Sequence, residues 1–201
     1  YGVPRTVTRA TRLTNWDSRD WVTTDWTGQT GTNVDVSTVG ELKLAELPTA
    51  WSLFVDTGAQ TWNDVTMISD TDGFIVGNGG NIRRFQGGNW NTAPTSGTTQ
   101  NLSAVHCSSA SNCFAVGASG TILRWTGSAW SLFIDTGAQT WNGVTMLSAT
   151  DGFLVGNGGN IRRWNGSAWN NLTPTGTTQN LNAVHCPSAS NCFAVGASGT
   201  I

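Results

Sequence analysis

Lysine occurs once in the 201 residues, at Lys43, and charged residues make up only 11% of the chain, with a formal net charge of −2. So little positive charge leaves no basic surface for nucleic acid or anionic lipid. No run approaches the roughly 20 apolar residues of a membrane helix, so insertion by a helix is not expected. No window carries the apolar periodicity of a helix of about 10 residues. Methionine is missing from the start, and no apolar leader segment follows Tyr1. The expectation is therefore a processed mature chain or a fragment. What the chain does have is abundant Gly, Thr, Ser and Asn and eleven tryptophans, a composition that suits secreted β-rich proteins.

The sequence repeats itself at an offset of 79. Residues 52–122 match 131–201 without a gap at 55 of 71 positions. Inside each unit a weaker repeat of 39 or 40 residues recurs. Val65, Phe74, Gly77, Gly80, Ile82, Arg84 and Trp90 reappear as Val105, Phe114, Gly117, Gly120, Ile122, Arg124 and Trp130, and a third time from Val144 to Trp169. A fourth copy carries Val184, Phe193, Gly196, Gly199 and Ile201.

Each copy reads as short strands split by glycine turns: VTMIS, then DGFIVG, then NIRRF, then a strand entered at GGNW or GSAW. Four short strands every 40 residues are what one blade of a β-propeller needs, and a solenoid is the rival architecture. The expected blades are 52–90, 91–130, 131–169 and 170–201, the last holding only its first strands. VGELKLAELPTAW, residues 39–51, resembles SGTILRWTGSAW, residues 119–130, so residues 40–51 can supply the missing ones. Completion within one chain gives a ring, completion between chains gives a swapped dimer or a head-to-tail fibre, and a fragment of a longer propeller needs neither. Residues 40–201 are thus expected to form an all-β propeller of about four four-stranded blades, and residues 1–39 an extended arm. The arm lacks the repeat and spaces Trp16, Trp21 and Trp26 by five, which suits docking or strand donation to a neighbouring subunit.

The repeated pattern, Phe-x-Val-Gly-x-x-Gly-x-Ile-x-Arg-[Phe/Trp]-x-Gly-x-x-Trp, resembles that of bacterial-neuraminidase-repeat (Asp-box) and photosystem II assembly-factor-like propellers. The resemblance covers about residues 40–201. Gly87, Gly127 and Gly166 match the glycine of the Asp-box turn, but Phe85, Trp125 and Trp164 stand where its aspartate would be. The resemblance implies the fold. It does not imply an activity, because the motif is structural even in the enzyme members.

Candidate chemistry is thin. Cys107/Cys113 and Cys186/Cys192 each flank the turn between first and second strands, where a disulfide can pin the hairpin. Two regular pairs with no leftover thiol point to an oxidising, extracellular compartment. His106 and His185 precede cysteines, but neighbouring side chains on a strand diverge, so no metal site is expected. A glycosidase needs converging carboxylates, yet the only glutamates, Glu41 and Glu46, lie in the closing segment and Asp70 is Ala149 in the other copy. The tyrosine nucleophile that the resemblance would ask for has no candidate but Tyr1. No catalytic residue and no cofactor is expected.

Two binding expectations remain. Arg83, Arg84, Arg162 and Arg163, with exposed faces on Trp62 and Trp141, suit a repeated glycan or acidic-ligand contact. The rival is rim pairing of these arginines with Asp56, Asp64 or Asp135 and stacking on tryptophan. Asn101, Asn165 and Asn171 begin Asn-x-Ser/Thr sequences that fit N-glycosylation. The function expected is non-enzymatic: an extracellular structural or adhesive protein assembling with copies of itself. A lectin-like propeller is the alternative, and a glycosidase relative a distant third.

Overall fold

The computed structural model describes residues 20–23, 32–36, 42–45, 58–93, 96–173 and 175–201. The chain divides into two compact units, 1–56 and 57–201. In the first, β1 (Asp20–Thr23), β2 (Thr32–Val36) and β3 (Leu42–Ala45) form an antiparallel meander in that order. Its register sets Trp21 opposite Val34 and Val34 opposite Leu44. The segment expected to complete the last blade begins with β3, which is hydrogen-bonded here to β2; its remainder, 46–51, lies outside the described residues. Trp16 and Trp26 also lie outside them.

The second unit is the repeat. Its first sheet runs β4 (Trp62–Ser69), β5 (Asp72–Gly77), β6 (Ile82–Gln86), β7 (Asn89–Thr92). The second runs β8 (Leu102–Ser109), β9 (Asn112–Gly117), β10 (Thr121–Trp125), β11 (Trp130–Asp135). The third runs β12 (Trp141–Met146), β13 (Gly152–Gly156), β14 (Ile161–Trp164), β15 (Trp169–Leu172). Each is an antiparallel meander in chain order. A fourth begins with β16 (Leu181–Ser188) and β17 (Asn191–Gly196). First strands lie side by side from blade to blade, β4 on β8, β8 on β12 and β12 on β16. This is the blade-by-blade stacking of a β-propeller, and the chain is all-β as expected. The fourth strands begin at or just before the repeat tryptophan and run past it, to Thr92, Asp135 and Leu172, so blades end two to five residues later than the spacing suggests.

Two buried clusters fill the spaces between blades. The first joins Phe74, Val76 and Ile82 of blade 1 to Val105, Leu123, Trp125 and Trp130 of blade 2. The second joins Phe114, Val116 and Ile122 of blade 2 to Trp141, Val144, Met146 and the Trp164–Trp169 pair of blade 3. In both, one second-strand phenylalanine enters an aromatic pair of the next blade. Phe74 lies 5.1 Å from Trp125 and 5.2 Å from Trp130; Phe114 lies 4.9 Å from Trp164 and 5.1 Å from Trp169. Tilted and edge-on packing at such distances adds to the gain from burial itself. The tryptophans are therefore the mortar between blades.

Both disulfides form, Cys107–Cys113 and Cys186–Cys192, with Cα atoms 4.0 and 4.1 Å apart. Cys107 sits directly opposite Cys113 across β8 and β9. In blades 1 and 3 the same rungs pair Met67 with Gly73 and Met146 with Gly152. There the methionine lies over the glycine: a Cβ on Gly73 would stand 2.5 Å from Met67 Sδ. One rung is thus closed covalently in alternate blades and by a folded-over thioether in the others.

Candidate functional site

Strand alternation sends the two arginines of each Arg-Arg pair to opposite faces. Arg84 Nε and one of its terminal nitrogens donate to the two carboxylate oxygens of Asp72, both at 2.8 Å. Arg163 grips Asp151 in the same way, at 2.8 and 3.0 Å. Each ion pair holds its aspartate below the ordinary carboxylate range, chiefly through the arginine hydrogen bond. Arg124 reaches Asn112, at 3.4 Å, in the same place in blade 2. The expected rim partners were different, and the structure corrects them: Asp64 accepts from the Val65 and Val105 N–H groups and Asp135 from that of Gly137, while Asp56 lies outside the described residues. Pairing across adjacent strands of one hairpin wins because it needs no reach between blades.

The other arginine of each pair meets a tryptophan. Arg83 lies over Trp62 at 5.8 Å and Arg162 over Trp141 at 5.2 Å. The structure thus brings together Arg and Trp in alternate blades, the stacking that the rim reading expects as much as the glycan reading does. It does not leave the second indole open. Trp141 is only 1% exposed, packed in the blade 2–blade 3 cluster with Nε1 donating to Thr136 Oγ1 at 3.0 Å. The expected sugar platform on Trp141 is corrected accordingly, because that face of β12 is the junction with the preceding blade. Trp62 is partly exposed.

His106 is occupied by structure. Its Nδ1 accepts from the Met146 N–H of the next blade at 3.0 Å. No group of three or more metal-ligating side chains occurs among the described residues. Burial pushes the His106 imidazole below its ordinary value of 6.5, with nearby Asp64 opposing the shift and His185 adding to it. A histidine more acidic in the native state binds fewer protons there than when unfolded. Stability should therefore fall as pH drops through the ordinary histidine range. The thermal midpoint is expected to be lower at pH 5 than at pH 7.5, and less so in His106→Thr, which places there the residue that blade 3 carries as Thr145. Equal slopes in both proteins would remove His106 as the cause. The Asp72 and Asp151 pairs act in a separate window, below pH 3.8.

The three glycosylation candidates are exposed. Asn101 Oδ1 accepts from the Gly79 N–H across the blade 1–blade 2 junction. Asn165 Oδ1 accepts from Ser167 and Ala168 and caps the turn between β14 and β15. Asn171 lies on outer strand β15.

Two concave surfaces stand out. A polar cleft of about 630 Å³ opens beside Asn81, Thr98, Gln100 and Asp135. A smaller apolar one, about 230 Å³, lies between blade 3 and the half-blade, lined by Phe153, Val155, Leu181, Phe193 and Ile201. Beside it the structure leaves exposed what it buries elsewhere. Phe193 is 58% exposed, whereas its counterparts Phe74 and Phe114 are at 0%. The repeat gave no hint of this, since the residues and their neighbours in sequence are nearly the same.

No family model matches the sequence, and no curated protein matches it. Solved structures do. YCF48 from Cyanidioschyzon merolae is 17% identical at a TM-score of 0.56, over 71% of this chain and 49% of that one. The WD40 repeats of RRP9 are 12% identical at 0.60, over 70% and 46%. The computationally designed Ika4 protein is 11% identical at 0.57, over 73% and 91%. The chain spans about half the length of YCF48 and of RRP9. At these identities the likeness is one of fold.

Proposed function

We propose that this chain is a non-enzymatic, extracellular structural or adhesive protein whose propeller assembles with copies of itself. The observation that carries the reading is an apolar face on blade 1: Val65 and Met67 are 56% and 48% exposed, while their counterparts Val144 and Met146 in blade 3 are 7% and 5%. An exposed apolar face of this kind suits burial against another chain. Two disulfides suit an oxidising compartment. A non-enzymatic role is supported by the repeat itself: near-identical copies multiply like surfaces and do not converge unlike groups on one point.

The test is the mass of the protein in solution across a concentration series, with negative-stain electron microscopy of the same samples. Masses in multiples of the 21.2 kDa chain, or rods, are expected. Discrete small discs at the monomer mass throughout would overturn the reading.

A further inference from the structure

A tight turn follows the second strand of every blade, at 78–80, 118–120, 157–159 and 197–199. In three of them the closing residue folds its side chain back on the turn. Asn81 donates to the Asn78 carbonyl at 2.7 Å, Asn160 to that of Asn157 at 2.8 Å, and Thr200 to that of Ala197 at 2.8 Å. Thr121 is the exception. It closes the blade 2 turn and is only 2% exposed, yet its hydroxyl makes no hydrogen bond among the described residues. On β10 its side chain shares a face with Leu123, which packs in the blade 1–blade 2 cluster, so the hydroxyl points into that junction. On β11, Asp135 and Leu132 stand opposite Thr121 and Leu123 and present the same face. Thr121, Asp135 and Leu132 all line the polar cleft of about 630 Å³, together with buried Ile82 and Ala93.

We infer that this cleft binds a neutral pyranose sugar. A buried hydroxyl without a partner costs free energy, so one that faces a cleft instead of its own turn is placed for a ligand. The hydrogen-bonding atoms around it are of both kinds. Asp135 Oδ1 accepts from the Gly137 N–H at 2.8 Å, which leaves Oδ2 for a ligand. Asn81 donates to Gln60 and Asn78 and keeps its Oδ1. Gln100 Oε1 accepts from Ser119 Oγ at 3.1 Å, and its amide nitrogen remains as a donor. A sugar hydroxyl both gives and takes hydrogen bonds, which matches two acceptors, one donor and a threonine hydroxyl that does either. An ammonium ion only donates and would leave the Gln100 amide facing a like charge. A metal ion would find one carboxylate, and an anion would meet Asp135 with no lysine or arginine in the lining. Ile82, Ala93 and Leu132 supply apolar surface for the C–H face of the ring. Neither Val65 nor Met67 lines the cleft, so the inference goes beyond self-assembly and does not depend on it.

Saturation-transfer NMR and calorimetry on the full chain test it, with the methyl glycosides of glucose, galactose, mannose, fucose and N-acetylglucosamine as probes. At least one is expected to bind. Asp135→Asn keeps an oxygen for the Gly137 N–H but removes the charged acceptor. It is expected to weaken that sugar about tenfold or more, as for loss of a hydrogen bond to a charged group. Thr121→Val is expected to weaken it as well without lowering the thermal midpoint, because the hydroxyl has no partner in the fold. A hydroxyl with a purely structural role would give the reverse. Arg83→Ala, which alters the Arg–Trp stack of blade 1, is expected to bind the sugar as the wild type does. Should Asp135→Asn fail to fold, Gln100→Ala at an exposed position repeats the test. No binding of any probe, unchanged binding in the cleft variants, or loss in Arg83→Ala alone overturns the inference. So does tighter binding of methylammonium or calcium chloride than of every sugar. Sedimentation of the cleft variants is expected to match wild type, so loss of sugar binding and loss of assembly are read separately.

Discussion

Truncating Phe114 to alanine is expected to destabilise the propeller by about 4 kcal/mol, while the same change at Phe193 costs the isolated chain under about 0.5 kcal/mol. The ring of Phe114 is fully buried and is held on several sides. Trp164 and Trp169 stand 4.9 and 5.1 Å away, Phe133 at 6.0 Å, and the Arg124 guanidinium lies over it at 5.6 Å. Four large groups from two blades cannot collapse into the space it would leave, because each is fixed by its own strand. The cost is then the transfer free energy of the ring plus most of a cavity. Phe193 has the same letter and the same neighbours in sequence, but its ring stands more than half in water and has little burial to lose. Urea denaturation of both variants, at concentrations where the wild type is monomeric, measures the difference. Similar losses in the two would mean that Phe193 is as enclosed as Phe114, and the open end described above would not exist.

That comparison also marks what the sequence could tell and what it could not. The blades, their strand order and the disulfide rungs follow from local spacing: period two within a strand, a separation of six for the cysteines, 39 or 40 for the copies. These features are set within one blade. Burial at the junctions is not, because it depends on whether a neighbouring blade is there. Phe114 and Phe193 are indistinguishable as letters and opposite in environment. Trp141 was expected in the open for the same reason: alternation says that a strand has two faces, not which one meets the preceding blade. The arginine partners were missed although a signal existed. Asp72 to Arg84, Asn112 to Arg124 and Asp151 to Arg163 repeat a spacing of 12, which two strands joined by one turn bring face to face. Read against the 40-residue period, that constant spacing marks a contact within a hairpin. β1 and β2 fell outside any repeat and so had no second copy to interpret them by, and β3, which has a counterpart in 119–130, pairs with β2.

Gly159→Ala is expected to cost about 3 kcal/mol, and its counterpart Gly199→Ala about 1 kcal/mol. Both glycines close a tight turn between second and third strands with φ at +72°, and any side chain there bears the left-handed penalty. Only Gly159 also faces an obstacle. A Cβ on it would stand 2.1 Å from the Thr177 carbonyl oxygen, whereas one on Gly199 meets nothing within 4 Å. Backbone cannot rotate aside as a side chain would, so the turn at 157–159 must move away from the segment that leads to blade 4. That motion strains two sets of contacts held by Asn157: Asn142 donates to its side-chain oxygen at 2.9 Å and Gln139 to its carbonyl at 3.1 Å. Asn142 also donates to the Leu181 carbonyl at 2.8 Å, so the disturbance passes to the half-blade. Thermal midpoints of the two variants separate the terms. Equal losses would mean that conformation alone sets the cost and that the crowding at Gly159 relaxes freely. A larger loss at Gly159 ties each turn's glycine to the connection leaving its blade: the same letter is nearly free where no such connection is near and costly where one passes.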